Sequence, residues 1–381
     1  MTESTCGTNV NKSRHFDRGT FHPFEMAFCG YSGSGKTTLI KNIVSKLFDN
    51  KKIAYIKHDA HHFSMDHQGK DTEVVKAAGA QQIYINNADT EALISSNPKN
   101  KYFQSQYFQD CEWAFIEGYK NSKIPKILLV DKENKILDDF KNNQLSNVTA
   151  IVGQDESISN INELPYFQRD KIDEIISFIK KGFEEKVSQV PLNGLVLIGG
   201  NSSRMGQDKS QLDYHGKPQY EFVFDLLDKH CAETFISVAQ ENRSIAKPQL
   251  TDDFKNFGPM GGILTAMKYN PSAAWLVLAC DMPFLTEKTI QFLIDHRDPY
   301  KAATAYKSLD NDFPEPLCSI FEPRSISFLY HFLSMGYQCP RKVLINSPIN
   351  LLLQEESGAL DNINTVDEYQ QARQKLSQGI N

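Results

Sequence analysis

The sequence has no basic tract. Its 381 residues carry 41 Lys and Arg against 47 Asp and Glu, a formal net charge of −6. A nucleic-acid partner held through phosphate contacts needs clustered cations, so that class is not expected. The balance still allows a few phosphates to be bound locally. Long apolar runs are missing as well. No stretch approaches about 18 uninterrupted apolar residues, which excludes a spanning helix. The seven cysteines (Cys6, Cys29, Cys111, Cys231, Cys280, Cys318, Cys339) are scattered, odd in number and never at C-x-x-C spacing. That pattern speaks against a disulfide framework or a zinc ribbon and fits free thiols in the cytoplasm. Met1-Thr2-Glu3-Ser4-Thr5 has no apolar signal core. Residues 1–20 are polar and irregular and read as a disordered tail. Neither half of the chain repeats the other.

What is present is ordinary in bulk and specific in detail. Hydrophobic residues make up 40% and charged residues 23%, as in a soluble globular protein. The length predicts two or three domains. The first half alternates apolar strand-like runs with helical spacing. Phe24–Cys29 reads as a strand, and Leu39, Ile40, Ile43, Val44, Leu47 and Phe48 then mark a helix. Further strands are expected at 53–57, 113–117, 126–130 and 148–152, and a closing helix over 170–186. This predicts a mainly parallel, doubly covered sheet. Val187–Pro191 reads as a linker. A second α/β series follows, with strands at 195–198, 233–239 and 274–280. The expected domains are thus 21–186 and 192–381.

Each series opens on a Gly-rich loop, and the two loops differ. Gly30-Tyr31-Ser32-Gly33-Ser34-Gly35-Lys36-Thr37-Thr38 fits the P-loop pattern. Glycines there let backbone N–H groups turn inward around phosphates at a helix N-terminus. Lys36 would reach the terminal phosphates and the Thr37 hydroxyl would ligate Mg²⁺. Gly30, Gly33, Ser34, Gly35, Lys36, Thr37 and Thr38 form the expected binding set. Glu117 ends the strand at 113–117, and an acid there points into the ligand crevice. It could organise Mg²⁺ and its water as a Walker-B acid does. Lys57-His58-Asp59-Ala60-His61-His62-Phe63-Ser64-Met65-Asp66-His67 is dense in His and Asp. Metal ligation and a plain polar loop both suit it.

The second loop, Gly199-Gly200-Asn201-Ser202-Ser203-Arg204-Met205-Gly206-Gln207-Asp208-Lys209, has no Gly-Lys-Thr. Its glycines allow a nucleotide to approach the backbone closely. Arg204 and Lys209 offer two cations to a triphosphate, where charge gathers on departing pyrophosphate. Asp281, after the apolar run 274–280, is placed to hold Mg²⁺. Gly258-Pro259-Met260-Gly261-Gly262-Ile263 opens a further helix whose glycines suit close approach by a base or sugar. Asp252 and Asp253 lie just before it.

These motifs carry two resemblances. The P-loop with Ile56-Lys57-His58-Asp59, Met65-Asp66, Gly69-Lys70-Asp71-Thr72, Ala78-Gly79-Ala80 and Glu117-Gly118-Tyr119-Lys120 resembles MobB over about residues 22–181. MobB is a P-loop GTP-binding family associated with molybdenum cofactor maturation. The resemblance implies a P-loop NTPase fold, GTP and Mg²⁺ binding, weak hydrolysis, an accessory role and a homodimer through the N-terminal domain. The second loop with Gly258–Ile263, Cys280-Asp281-Met282-Pro283 and Asn362-Ile363-Asn364-Thr365 resembles the molybdenum cofactor guanylyltransferase family, MobA, over about residues 192–376. It implies a Rossmann-like, GT-A-like nucleotidyltransferase fold. In that family's pattern Leu197, Ile198, Gly199, Gly200, Lys209, one of Asp252 and Asp253, and Asp281 would contact GTP or Mg²⁺. Arg204, Lys209 and Asp281 would carry catalysis. The family's usual asparagine after its second strand is replaced here by Ala239-Gln240, with Asn242 nearby. The implied reaction joins GMP from GTP to molybdenum-molybdopterin, in the cytoplasm, with molybdenum-insertion proteins and apo-molybdoenzymes as partners. The rival reading is a nucleotidyltransferase for a sugar or polyol phosphate with a P-loop binding module.

Overall fold

The structure, a computed structural model, describes residues 21–58, 69–97, 99, 101–155, 161, 163–198, 208–242, 244–309, 311–354 and 358–378. The chain separates into two compact units, Met1–Phe183 and Glu184–Asn381.

In the first unit the strands are β1 (Glu25–Cys29), β2 (Ile53–Lys57), β3 (Gln82–Asn86), β4 (Glu91–Ser95), β5 (Trp113–Glu117), β6 (Lys126–Leu129), β7 (Val148–Gly153) and β8 (Tyr166–Gln168). Among the described residues six of them form one sheet in the order β2-β5-β1-β6-β7-β8. Every pairing in it is parallel. β1 and β5 are buried at every position, as strands covered on both faces must be. That is why they read as unbroken apolar runs. Helix α1 (Lys36–Leu47) lays Leu39, Ile40 and Ile43 into the core. The apolar repeat runs one residue too far, because Phe48 is exposed. β3 and β4 pair antiparallel as a separate hairpin that the sequence pattern does not announce. The unit's last helix runs Ile172–Ser188, so it covers the first two residues of the expected linker. The contact boundary falls at 183/184.

In the second unit the strands are β9 (Leu192–Leu197), β10 (Thr234–Val238), β11 (Gln249–Thr251), β12 (Ala274–Ala279), β13 (Ala303–Lys307), β14 (Pro314–Phe321) and β15 (Ile349–Leu352). They form one sheet in the order β11-β10-β9-β12-β14-β13-β15. The β11-β10-β9-β12 half is parallel, whereas β14 runs antiparallel to both its neighbours. β12 divides its side chains between two cores. Leu276 and Leu278 join Val223, Phe224 and Leu227 on one face. Trp275 and Val277 join Ile263, Leu264 and Met267 on the other. Each such aliphatic side chain contributes about 1.5–3 kcal/mol by its burial. Among the described residues no helix is long and apolar enough to cross a membrane, and the six described cysteines are free.

Candidate nucleotide-binding sites

In the first unit, β1 lies between β5 and β6. The chain leaving it therefore emerges at the crevice where strand order reverses, the usual ligand position in such sheets. The loop Gly30–Gly35 fills that crevice. Gly35, ahead of α1, has φ 85°, in the left-handed region that a side chain disfavours. At Gly30 a Cβ would stand 2.6 Å from the Leu129 carbonyl oxygen and 2.6 Å from Ser34 Oγ. The loop thus packs against the end of β6 too closely for any side chain. Lys36 Nζ donates to the carbonyls of Gly30 and Tyr31 at 2.9 and 3.0 Å, folding the ammonium back over the loop. Thr38 is exposed in the first helical turn. Ser34 Oγ is buried without a hydrogen-bond partner.

Glu117 stands on the β5 flank of this loop. One of its oxygens accepts from Thr37 Oγ1 and from the Tyr55 hydroxyl, both at 2.7 Å, and Lys57 Nζ lies 3.6 Å from the other. Burial pushes the carboxyl up, but the two hydrogen bonds and the charges of Lys57 and Lys36 outweigh it and hold the pKa below the usual range. The same arrangement, burial first and Glu117 second, pushes Tyr55 up to about 12. Tyr55 was not marked by any motif; its placement follows from β2 pairing with β5, which sets it opposite Phe115 and one strand from Glu117. At the rim, Tyr31 donates to Asp139 at 2.9 Å and Lys120 bonds the same carboxylate at 3.1 Å. Of the His-rich stretch only Lys57 and His58 are described; the His58 ring lies 5.0 Å from that of Tyr119. The rest, 59–68, lies outside the described residues.

In the second unit a cavity of about 360 Å³ opens at the C-terminal ends of β9, β10 and β12. Leu197, Ile198, Lys209, Asp252 and Asp281 line it, with Ser237, Ala239 and Asn256. Gly199, Gly200 and Arg204 lie outside the described residues. Asp252 and Asp253 part company. Ser237 Oγ donates to Asp252 at 2.7 Å inside the cavity, while Asp253 pairs with Lys268 at 2.8 Å and is absent from the lining. The glycines of Gly258–Ile263 also separate. Gly258 lines the cavity, but Gly261 and Gly262 are filled against by protein. A Cβ on Gly261 would meet the Phe254 carbonyl oxygen at 2.4 Å, and one on Gly262 would meet Ser237 Oγ at 2.5 Å. The expected approach of a base or sugar to these two is therefore corrected: they let helix α2 (Pro259–Tyr269) sit hard on β9 and β10.

Asp281 is the most unusual group here. Its Oδ1 is buried with no hydrogen-bond partner. Burial raises its pKa above the ordinary carboxylate value, and the nearby Lys209 ammonium only partly offsets this. The loop that carries it is pinned: Ile363 N–H donates to the Asp281 carbonyl at 2.8 Å, and His215 Nε2 donates to the Pro283 carbonyl at 2.9 Å. His215 stacks on Phe222 with centroids 3.7 Å apart. Lys209 Nζ donates to Asn364 Oδ1 at 2.7 Å. Asn364 belongs to a second cavity of about 440 Å³, which Glu315, Asn362 and Glu368 also line. A buried carboxylate with one orphaned oxygen, beside a lysine and a cavity of this size, suits a cation shared with a phosphorylated ligand.

The fold and these sites define a P-loop domain joined to a nucleotidyltransferase domain. Residues 26–154 match the family model of molybdopterin guanine dinucleotide synthesis protein B, and residues 194–347 match that of the MobA-like NTP transferase domain. The "Molybdenum cofactor biosynthesis bifunctional protein" of Synechocystis is 36% identical over 196 residues, 50% of this chain and 56% of that protein. The "Molybdopterin-guanine dinucleotide biosynthesis adapter protein" of Haemophilus influenzae is 34% identical over 28% of this chain and 64% of its own length. The alignments thus span less than two thirds of each of these two relatives. The "Probable molybdenum cofactor guanylyltransferase" of Flavobacterium johnsoniae is 26% identical over 49% of this chain and 98% of its own length.

Proposed function

We propose that this chain is a bifunctional molybdenum cofactor maturation protein. Its second unit transfers GMP from GTP to molybdenum-molybdopterin, and its first unit is a GTP-binding accessory unit with weak hydrolysis. The observation that carries the reading is the orphaned, buried carboxylate of Asp281 facing the same cavity as Lys209 and Asp252. In the reaction an oxygen of the molybdopterin terminal phosphate bonds to the α-phosphorus of GTP. The bond from that phosphorus to the α–β bridging oxygen breaks, and pyrophosphate leaves with the electron pair. The attacking group is already anionic, so positioning and charge neutralisation suffice. Lys209 and Arg204 neutralise the triphosphate. Asp281 would hold Mg²⁺ here, and Thr37, oriented by Glu117, would hold it in the first unit; the ion supplies positive charge at the phosphates. The acceptor enters from the cavity of Asn362 and Asn364. The reaction belongs in the cytoplasm, where free cysteines persist, and its product goes to apo-molybdoenzymes.

The test is guanylated product from GTP, Mg²⁺ and molybdenum-loaded molybdopterin. Asp281→Ala should lower its formation by about a hundredfold to a thousandfold, by analogy with loss of one charge-stabilising contact. A preference for CTP or UTP over GTP overturns the guanylyl reading.

We further propose that the protein pairs through the first unit. The support is the exposed apolar pair on one face of the β3–β4 hairpin, where Tyr84, 58% exposed, stands opposite Leu93, 46% exposed. Exposed apolar side chains paired on one face suit an interaction site.

A further inference from the structure

Arg169 follows β8 at the far flank of the first unit's sheet, and no motif marks it. Its backbone N–H donates to the Gly153 carbonyl at 3.1 Å, which anchors it at the C-terminal edge of the sheet. From there its side chain reaches back across the end of β7. Nη2 donates to the Val130 carbonyl, at the end of β6. Nη1 would stand 3.2 Å from a Cβ on Gly35, the residue that ends the loop and opens α1. Nε is buried with no hydrogen-bond partner. Val130 supplies a neutral carbonyl, and among the described residues no carboxylate pairs with the guanidinium. A part-buried arginine that spends one of its five donors, against a loop built to cradle anions, is matched to phosphate oxygens.

We propose that Arg169 is a phosphate ligand of the first loop, gripping the α- and β-phosphates of its nucleotide rather than the γ-phosphate. The proposal rests on the reading of Gly30–Thr38 as a nucleotide site. The choice of phosphates follows from the sheet order. The γ-phosphate end of such a site lies with the lysine, the metal-ligating hydroxyl and the strand-end acid. Here that acid, Glu117, is on β5, to one side of β1. Arg169 comes from β8, beyond β6 and β7 on the other side. It therefore meets the loop on the flank away from the hydrolysed bond. It strengthens nucleotide binding and leaves hydrolysis untouched.

The experiment is calorimetric titration of GDP and GTP into the full chain, into Lys36→Ala and into Arg169→Gln. The binding lost in Lys36→Ala identifies the first-unit site; if that variant loses none, the nucleotide reading of the loop itself fails. Arg169→Gln keeps a donor for the Val130 carbonyl and removes the charge. It should weaken GDP and GTP at that site by the same factor, about 10- to 100-fold, as for one hydrogen bond to a charged group. Melting of the nucleotide-free protein should be unchanged. Parental GDP affinity overturns the proposal, and so does a loss confined to GTP. Should Arg169→Gln melt lower, Arg169→Lys decides: it should recover most of the lost affinity for both nucleotides. An Arg169→Lys protein that melts normally but binds as weakly as Arg169→Gln would overturn the proposal too.

Discussion

Asp281 carries a cost that its position explains. Its carboxyl is buried, one oxygen has no partner, and its pKa is raised mainly by that burial. A folded-state pKa above the unfolded value of about 3.9 means the fold favours the protonated form. The contribution is then favourable below about pH 3.9 and is lost as pH rises through the folded value. At neutral pH, without a cation, the ionised group destabilises the unit. Asp281→Asn removes the charge and nearly keeps the shape. In metal-free buffer at pH 7 it should melt above the parent while losing guanylyl transfer. The difference should shrink as pH falls through the raised folded value and be gone below about 3.9. Thermal denaturation across pH checks this, and an Asp281→Asn protein that melts lower at pH 7 contradicts it. Asp281 itself was legible in the sequence, because an acid after an unbroken apolar strand has one place to go. Which of Asp252 and Asp253 faces the cavity was not legible. Adjacent residues leaving a short strand diverge according to local pairing, here with Ser237 and Lys268. Arg169 and Tyr55 were illegible for a related reason: only the sheet order brings them to loops more than a hundred and some twenty residues away in sequence, respectively.

At the scale of elements, legibility followed burial. β1, β5 and β12 are covered on both faces, so their sequences are mainly apolar and their ends fall within a residue of those expected, whereas β9 begins three residues early, at Leu192, because Asn193 and Gly194 interrupt its apolar run. The β3–β4 hairpin is mostly exposed, and its turn is an Asx type, with Asn87 Oδ1 accepting from the N–H groups of Asp89 and Thr90 at 2.8 and 2.7 Å. Neither feature leaves a strong apolar pattern. The antiparallel β14 escaped notice because direction of pairing is not written in composition. The hairpin's exposed apolar face carries its own prediction. Tyr84 stands directly opposite Leu93 in the pairing, so the two share one face of the ribbon. Placing a charge there opposes association, since an unpaired charge in an interface must be desolvated. Leu93→Glu, at a position 46% exposed, should leave melting of the chain nearly unchanged and convert dimer to monomer in sedimentation velocity. A parent that is already monomeric at tens of micromolar, or a variant that stays dimeric, removes the hairpin from the assembly.

At the scale of the whole molecule, the two proposed guanine-nucleotide sites raise the question of whether they share nucleotide. Tethering raises the local concentration of whatever one unit releases near the other, up to the millimolar range for short connections. That helps only when GTP is scarce, because a saturated second site gains nothing from delivery. Lys36→Ala removes the ammonium that now lies over the Gly30 and Tyr31 carbonyls and would reach the phosphates of the bound nucleotide. It does not touch Lys209, Asp252 or Asp281. If the first unit hands GTP to the second, Lys36→Ala should raise the KM for GTP in guanylyl transfer and preserve kcat at saturation, the signature of lost binding rather than lost chemistry. Steady-state transfer measured from limiting to saturating GTP separates the cases. An unchanged KM means that the second unit draws its GTP from solution, and the first unit then uses its own nucleotide for assembly rather than supply.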